Sequence, residues 1–472
     1  MSKNINRNEM EDISIDRSLV EIRNEKLSIT ILNIIGSCFI NNIVLFTSNF
    51  ISTINLILLG HISEQSQTHY QLFMTYQIGV SIIEVFGKVI IIGLFRYILE
   101  RKEYRKIYRT YLRLKSGLIF IIPIIMIPVS LSSYFIIKLL LKFNLDIYNQ
   151  SLNKEIYFKF LVFSPIIYLF EILFYLNLKI LKAFEVTKAI IFYINLFIIS
   201  HIISCWILLY ILKIGILGLT ISYGLNSFLF YFFSNSYITD SKEEEAENFL
   251  LLPPQDFLNI NDIISLKDES SLNMKYLSDC FLFYLLFIVT LFTDKNQLIV
   301  NIIYLDFYYL LNTINKGFYL TFRHYLIHTK ESNEEKKKYI IVFSVTFITI
   351  IVSLFVILII FKNILLDIYL VNGGEKYLRI ISNSIQIIYS FVILFNGVQI
   401  LLYGFIRGMA ASSTFLFKFI CSIICIFFCL ILCFIYKKGI FGLWVAVLIL
   451  CLFYTFQNGY KFIIYFNNIF FK

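Results

Sequence analysis

The stretch Lys213-Ile-Gly215-Ile-Leu-Gly218-Leu219 returns as Lys437-Lys-Gly439-Ile-Phe-Gly442-Leu443, offset by 224 residues and each time set between two long apolar runs. A second pair, Leu181-Lys182-Ala183 and Ile406-Arg407-Gly408, stands 225 residues apart, each closing an apolar run. Two unrelated short patterns sharing nearly one offset identify a chain written twice. Duplicated halves of a highly apolar chain are the sequence mark of secondary transporters, in which two helical bundles move against each other around a site near the bilayer midplane. That architecture is the expectation from which the remaining residues are read.

Composition fixes the solvent. With 58% hydrophobic residues, 15% charged residues and a mean hydropathy of +0.78, the 472-residue chain has too little polar surface for water and reads as an integral membrane protein. A spanning helix needs about 20 apolar residues. Such runs lie near 31–59, 70–95, 117–142, 157–180, 188–211, 215–234, 276–293, 297–322, 340–362, 380–405, 414–436 and 440–468. The fold expected is all-α, with twelve transmembrane helices in two six-helix lobes related by the internal repeat. Residues 1–27 read as a polar tail, 28–235 as the first lobe, 236–275 as an acidic linker and 276–472 as the second lobe. The polar opening precedes a span too long for the core of a removable signal peptide, so the first helix is expected to act as its own insertion signal.

Lys and Arg concentrate in short cytoplasmic loops. The tail holds Lys3, Arg7, Arg17, Arg23 and Lys26, and residues 96–115 after the second span hold eight more, whereas residues 60–68 after the first span hold none. Both termini are therefore expected in the cytosol, with the host membrane either the plasma membrane or that of an organelle. The net charge of +10 follows largely from this bias, with attraction to anionic lipid as a secondary effect, and requires no nucleic-acid partner. The linker, with Lys242-Glu-Glu-Glu-Ala-Glu247 and Pro253-Pro254, reads as a solvated cytoplasmic tether between the lobes.

No HExxH, GxSxG, P-loop or GxGxxG pattern is present, and the chain is not expected to be an enzyme or to hold a metal or cofactor. His201, deep in the fifth span, reads as an interhelical hydrogen-bonding residue. Cys421, Cys425, Cys429 and Cys433 recur every fourth residue along the eleventh span, a row that drifts by ~40° per step and fits a stripe of small residues at a helix contact. Carboxylates are the chemically informative residues, because an ionisable group inside a membrane is costly and functional by default. The second half offers Asp279 in span seven and Asp306 in span eight. Counted from the turn at 293–297, they lie ~21 Å and ~14 Å deep, at similar levels on antiparallel neighbours. A carboxylate there can take either a proton or a cation, and exchange needs two ligands competing for one state. Tyr284, Tyr308 and Tyr309 offer aromatic faces to a cation. In the first half, Glu84 stands four residues before Lys88, the spacing of an intrahelical pair, and Glu171 has Lys179 two turns away. Glu84 and Glu171 are reserve candidates.

A family resemblance rests on residues running in order through nearly the whole chain: Phe50-Ile-Ser-Thr53 and Gly60-His61, Phe163-Ser-Pro165, Gly215-Ile-Leu-Gly218, Thr321-Phe-Arg323, Asn396-Gly-Val-Gln-Ile-Leu-Leu-Tyr-Gly404-Phe-Ile-Arg407-Gly408 and Gly439-Ile-Phe-Gly442-Leu443-Trp444. The chain resembles the MATE (multidrug and toxic compound extrusion) transporters, above all their eukaryotic branch. The resemblance implies a proton- or sodium-coupled antiporter that exports small organic, cationic compounds or xenobiotics and works as a monomer. It also places Asp279 and Asp306 on two family acids, while Tyr284 and Asn396 stand where the family has two more. The candidate coupling and substrate residues are thus Asp279, Asp306, Tyr284, Asn396 and Gln399. With two acids replaced, two other readings stay open. One is a flippase of the same superfamily for a lipid-linked oligosaccharide, using a cationic groove of Lys88, Arg96, Lys179 and Lys182. The other is a membrane scaffold that transports nothing.

Overall fold

A computed structural model describes residues 31–62, 154–183, 186–240, 293–328, 333–371, 376–408 and 415–470, with isolated positions at 111–128 and at 286 and 289. Its elements are α1 (Ile31–Gly60), α2 (Lys154–Ala183), α3 (Thr187–Trp206), α4 (Ile216–Asp240), α5 (Lys295–His328), α6 (Asn333–Ile360), α7 (Ile364–Tyr369), α8 (Lys376–Gly408), α9 (Phe415–Leu430) and α10 (Gly439–Phe470). All but α7 coincide with runs marked from sequence: α1 with the first span, α2 to α4 with the fourth to sixth, α5, α6 and α8 with the eighth to tenth, and α9 and α10 with the last two. Six of them, α3 to α6, α8 and α10, are long and apolar enough by themselves to cross a membrane. The chain is a multi-pass membrane protein, and no strand occurs among the described residues. The second span, the tail and the linker beyond Asp240 lie outside them, as do most of the third and seventh spans.

The repeat holds down to single backbone bonds. Each copy ends its helix in a π-helical turn, Ile207–Ile211 after α3 and Ile431–Ile435 after α9. The amide of Leu212 then donates to Ile207 O at 2.9 Å and that of Ile214 to Leu208 O at 3.0 Å. Their counterparts 224 residues on, Tyr436 to Ile431 and Lys438 to Leu432, are both 3.1 Å. This closure needs a left-handed residue just past the helix, and Lys213 (φ 53°) and Lys437 (φ 51°) supply it with exposed side chains. Gly215 (φ 69°) and Gly439 (φ 53°) then turn the chain left-handed again into α4 and α10. Three residues later the new helix crosses the old one so closely that a Cβ on Gly218 would sit 3.1 Å from Leu208 Cβ, and one on Gly442 2.9 Å from Leu432 Cβ. The two phrases recur because both junctions demand the same two left-handed residues and the same missing side chain.

In the first half α2, α3 and α4 pack on one another; in the second, α8 is central, touching α5, α6 and α10. The cysteine row of α9 lies buried against α10, with the Cys425 and Cys429 thiols pointing at Ala446 O (3.6 Å) and Leu443 O (3.9 Å), so the stripe is a helix contact. Helix α1 belongs to the first half in chain order but packs antiparallel along α5 of the second, while also touching α2 and α3. One apolar core runs from Leu56, Leu59, Leu209, Ile216 and Leu219 of the first half into Leu298, Ile299, Leu366 and Leu378 of the second. It lies at the end of the bundle that the Lys and Arg bias assigns to the non-cytoplasmic side, called here the outer end. Toward the other end the described apolar residues form two further clusters, one around Phe174, Phe197 and Phe230 of the first half and one around Phe318, Phe322 and Phe347 of the second, with Ile51 of α1 in the former and Cys38 of α1 in the latter.

The matched crossings make a paired test. Gly218→Ala and Gly442→Ala each lower stability by about 1–3 kcal/mol through overpacking against backbone. Gly36→Ala, at an exposed α1 position with nothing within 4 Å of the new methyl, leaves stability equal or raises it slightly. Thermal unfolding in detergent reads the difference, and a Gly442→Ala protein as stable as Gly36→Ala would show that the close crossing is not obligatory.

Candidate functional site

Six of the nine residues in Thr47-Ser-Asn-Phe-Ile-Ser-Thr-Ile-Asn55 are polar, and all six are buried in the middle of a membrane helix. At 100° per residue, Cys38, Asn49, Thr53 and Gly60 fall within about 60° of arc, while Ser48, Asn55 and Leu58 lie roughly opposite. The contacts follow that division. On the first face Asn49 Nδ2 donates to Thr313 Oγ1, the Thr53 hydroxyl donates to Asp306 Oδ2 at 2.7 Å, and Cys38 lies against Thr321, all on α5. On the opposite face Ser48 Oγ donates to Glu171 Oε1 at 3.3 Å on α2, His201 Nε2 of α3 donates to Asn55 Oδ1 at 2.8 Å, and Tyr210 OH donates to Leu58 O at 2.9 Å. Helix α1 is thus a rod between the halves, hydrogen-bonded to a carboxylate on either side.

Asp306 is 5% exposed and sits at the centre of this seam. Its Oδ2 also accepts the Tyr369 hydroxyl at 2.7 Å, so α1 and α7 both donate to one oxygen. Hydroxyl donors aimed at a carboxylate are about twice as strong as neutral pairs while the carboxylate is charged. Beyond Asp306 an aromatic group fills the second half: Tyr389 packs edge-on to Tyr304 (4.6 Å) and to Trp444 (4.8 Å), and Tyr304 OH bonds to Ser382 Oγ at 2.8 Å. Trp444 in turn donates to Asn301 Oδ1 at 3.1 Å. Tyr308, read from sequence as a face for a cation, turns onto Trp444 at 6.3 Å and is 4% exposed, so it belongs to this packing.

Asn396 and Gln399 are buried on α8 but are not brought to Asp306. Tyr304 meets Ser382 and Tyr389, and Gly404 meets Tyr319, so this register sets Asn396 level with Thr313 and Gln399 level with Asn315. That is about two turns inward of Asp306. Asn315 lies on the α5 face that meets α8, and its Nδ2 is buried with no hydrogen-bond partner. Asn49, Thr313, Asn315, Asn396 and Gln399 make a second polar layer, with the half-buried Lys316 at the same depth on α5. Glu171 is buried and accepts from Ser48 of α1. Asp279, Tyr284 and Glu84 lie outside the described residues.

Sequence reasoning missed Thr53 as a ligand of the acid, although the polar run 47–55 in an apolar helix was a signal for it. It also missed α7. A six-residue helix leaves no periodicity to read, and Tyr369 is recognisable only from its contacts. His201 is the interhelical residue expected, with Ser222 Oγ 3.1 Å from its Nδ1. Asn55→Ala strips the acceptor from the buried Nε2–H of His201 and costs roughly 1–2 kcal/mol. Thermal unfolding in detergent measures this loss, and an unchanged midpoint would mean that the α1–α3 contact does not depend on the pair.

No protein-family profile matches the sequence, and no curated protein matches it. Solved structures do. The eukaryotic MATE transporter AtDTX14 aligns over 92% of this chain and 96% of its own, with a TM-score of 0.66 and 14% identity. A MOP superfamily transporter from Pyrococcus furiosus aligns over 92% and 96%, with a TM-score of 0.63 and 12% identity. The lipid II flippase MurJ in an inward closed conformation aligns over 89% and 86%, with a TM-score of 0.60 and 18% identity. At such identities the likeness is one of fold, and it extends over nearly the full length of both chains. The chain has the twelve-helix fold of the MATE transporters.

Proposed function

We propose that the protein is a MATE-type antiporter that exports a small organic cation in exchange for H+ or Na+, acting as a monomer, with Asp306 holding the proton or the cation in turn. The observation that carries this reading is the position of Asp306: a carboxylate 5% exposed, hydrogen-bonded by the helix that runs between the two halves. A carboxylate there has electrostatic reason to hold a cation when charged and to release it when protonated. The polar layer two turns inward, with the unspent Asn315 donor and the amides of Asn396 and Gln399, suits the polar groups of an organic substrate. The shared outer core joins the two halves at the outer end.

One observation favours the flippase alternative. Lys115 is 2% exposed in the first half, bonded to Asn235 Oδ1 at 2.6 Å and flanked by the rings of Tyr111 and Tyr231, and Lys179 and Lys182 lie half-buried near the end of α2. An anionic lipid-linked substrate would suit that charge.

Efflux of ethidium from proteoliposomes under an imposed proton or sodium gradient separates the readings. Wild type moves the dye in response to the gradient. Asp306→Asn lowers that rate at least about tenfold, as expected when one buried charge contact is lost, and Asp279→Asn run beside it tests the second acid. Gradient-driven efflux that survives Asp306→Asn sinks the assignment. A wild type that moves no dye but carries a fluorescent anionic lipid-linked sugar across the bilayer establishes the flippase instead.

A further inference from the structure

Helix α7 is a short piece with an exposed side and three buried residues, Leu365, Leu366 and Tyr369. Asp367 and Ile368 are exposed, whereas Tyr369 is 1% exposed. At its start Asn363 adopts a left-handed conformation (φ 63°), and its amide donates to Gln386 Oε1 of α8 at 2.8 Å, while Gln386 Nε2 reaches back to Phe361 O at 3.0 Å. This end is pinned to the second half. The other end meets the first half's α1 directly in two ways and shares a buried acceptor with it in a third. A Cβ on Gly60 would fall 1.8 Å from Tyr369 O, so the two backbones touch. His61 Nε2 donates to Ile368 O at 3.1 Å. The Tyr369 hydroxyl reaches inward to the same Asp306 oxygen that Thr53 of α1 occupies. The outer closure and the buried acid are therefore one hydrogen-bonded unit.

We propose that Tyr369 and Thr53 form a latch on Asp306 that keeps the outer end shut while the carboxylate is charged and empty, and releases it once a proton or a cation is taken up. Two hydroxyls on one oxygen bind strongly to a carboxylate and weakly to a neutral acid. A bound cation competes for the same lone pairs. The titratable groups that face Asp306 from the described elements packed on it are Tyr369 of α7 and Tyr389 of α8, and α1 brings Thr53 and, at its end, His61. The consequence concerns coupling. Exchange is obligatory only if the loaded carrier switches and the empty carrier does not, which requires a different conformational balance in each state. A latch made on the empty carboxylate supplies that difference. Tyr369 and Thr53 are in this account positioning residues, acting through Asp306. The inference rests on Asp306 as the coupling acid, but the latch itself is testable without any transported compound.

Amide hydrogen exchange by mass spectrometry on the full-length protein in lipid nanodiscs, with no ligand added, reads the latch directly. In the wild type, residues 57–62 and 361–371 exchange slowly. Tyr369→Phe, Thr53→Val and Asp306→Asn, the last standing in for the protonated acid, each speed exchange in both segments by on the order of tenfold. Tyr369→Phe adds less than about twofold to Asp306→Asn, since the bond it removes is already weakened. Exchange in the Ile207–Gly218 junction stays at the wild-type rate. Wild-type exchange in Tyr369→Phe and Thr53→Val, a rise that spreads to the junction, or full additivity in the double variant each overturns the latch. A latch that passes beside a transport assay insensitive to Asp306→Asn would instead locate the error in the choice of coupling acid.

Discussion

Two hydroxyl groups, one from α1 and one from α7, donate to the same oxygen of Asp306, and much of the described structure serves to bring them there. Thr53 arrives because α1, while still bonded to its own half, packs most extensively along α5. Tyr369 arrives because Gln386 pins the start of α7 and Gly60 lets its end lie against α1. Between lipid-embedded helices, apolar packing gains little over contact with lipid tails, so polar bonds and close backbone approach decide which helices stay together. The seam between the halves is built from both. That makes it stable while its bonds are intact and sensitive to one charge.

The polar strip of α1 divides its contacts by face. Ser48 and Asn55 look to the first half, meeting Glu171 and His201; Asn49 and Thr53 look to the second, meeting Thr313 and Asp306. A helix so placed cannot follow both lobes if they separate at the outer end. Either its bonds to His201 and Glu171 or its bonds to Asp306 and Thr313 must yield. Because the Asp306 bonds depend on a carboxylate that ligands can neutralise, they are the ones with a physical reason to change during a cycle.

The sequence carried the architecture because the fold repeats its most demanding local geometry. Left-handed lysine, left-handed glycine and a close crossing at Gly218 and Gly442 are hard constraints, and hard constraints survive in sequence when lipid-facing positions drift. Helix ends were legible for the same reason: the marked pairs at Ala183 and Gly408 are where α2 and α8 stop. Of the candidate site, Asp306 was legible because an acid in an apolar helix stands out. Its partners were not. Threonine is common in membrane helices, and which face of α1 turns to α5 is decided by tertiary packing. Asn396 and Gln399 share a helix with residues near the acid, but their depth depends on the register of α8 against α5, which no local pattern encodes.

The central claim is that Thr53 and Asp306 are energetically joined across the halves. A double-mutant cycle on thermal unfolding in detergent, with Thr53→Val, Asp306→Asn and the pair, measures that term alone. The account predicts an interaction energy of about 1 kcal/mol or more, the size expected for a charge-assisted hydrogen bond. Losses that add to within about 0.3–0.5 kcal/mol, the margin for independent sites, would contradict it.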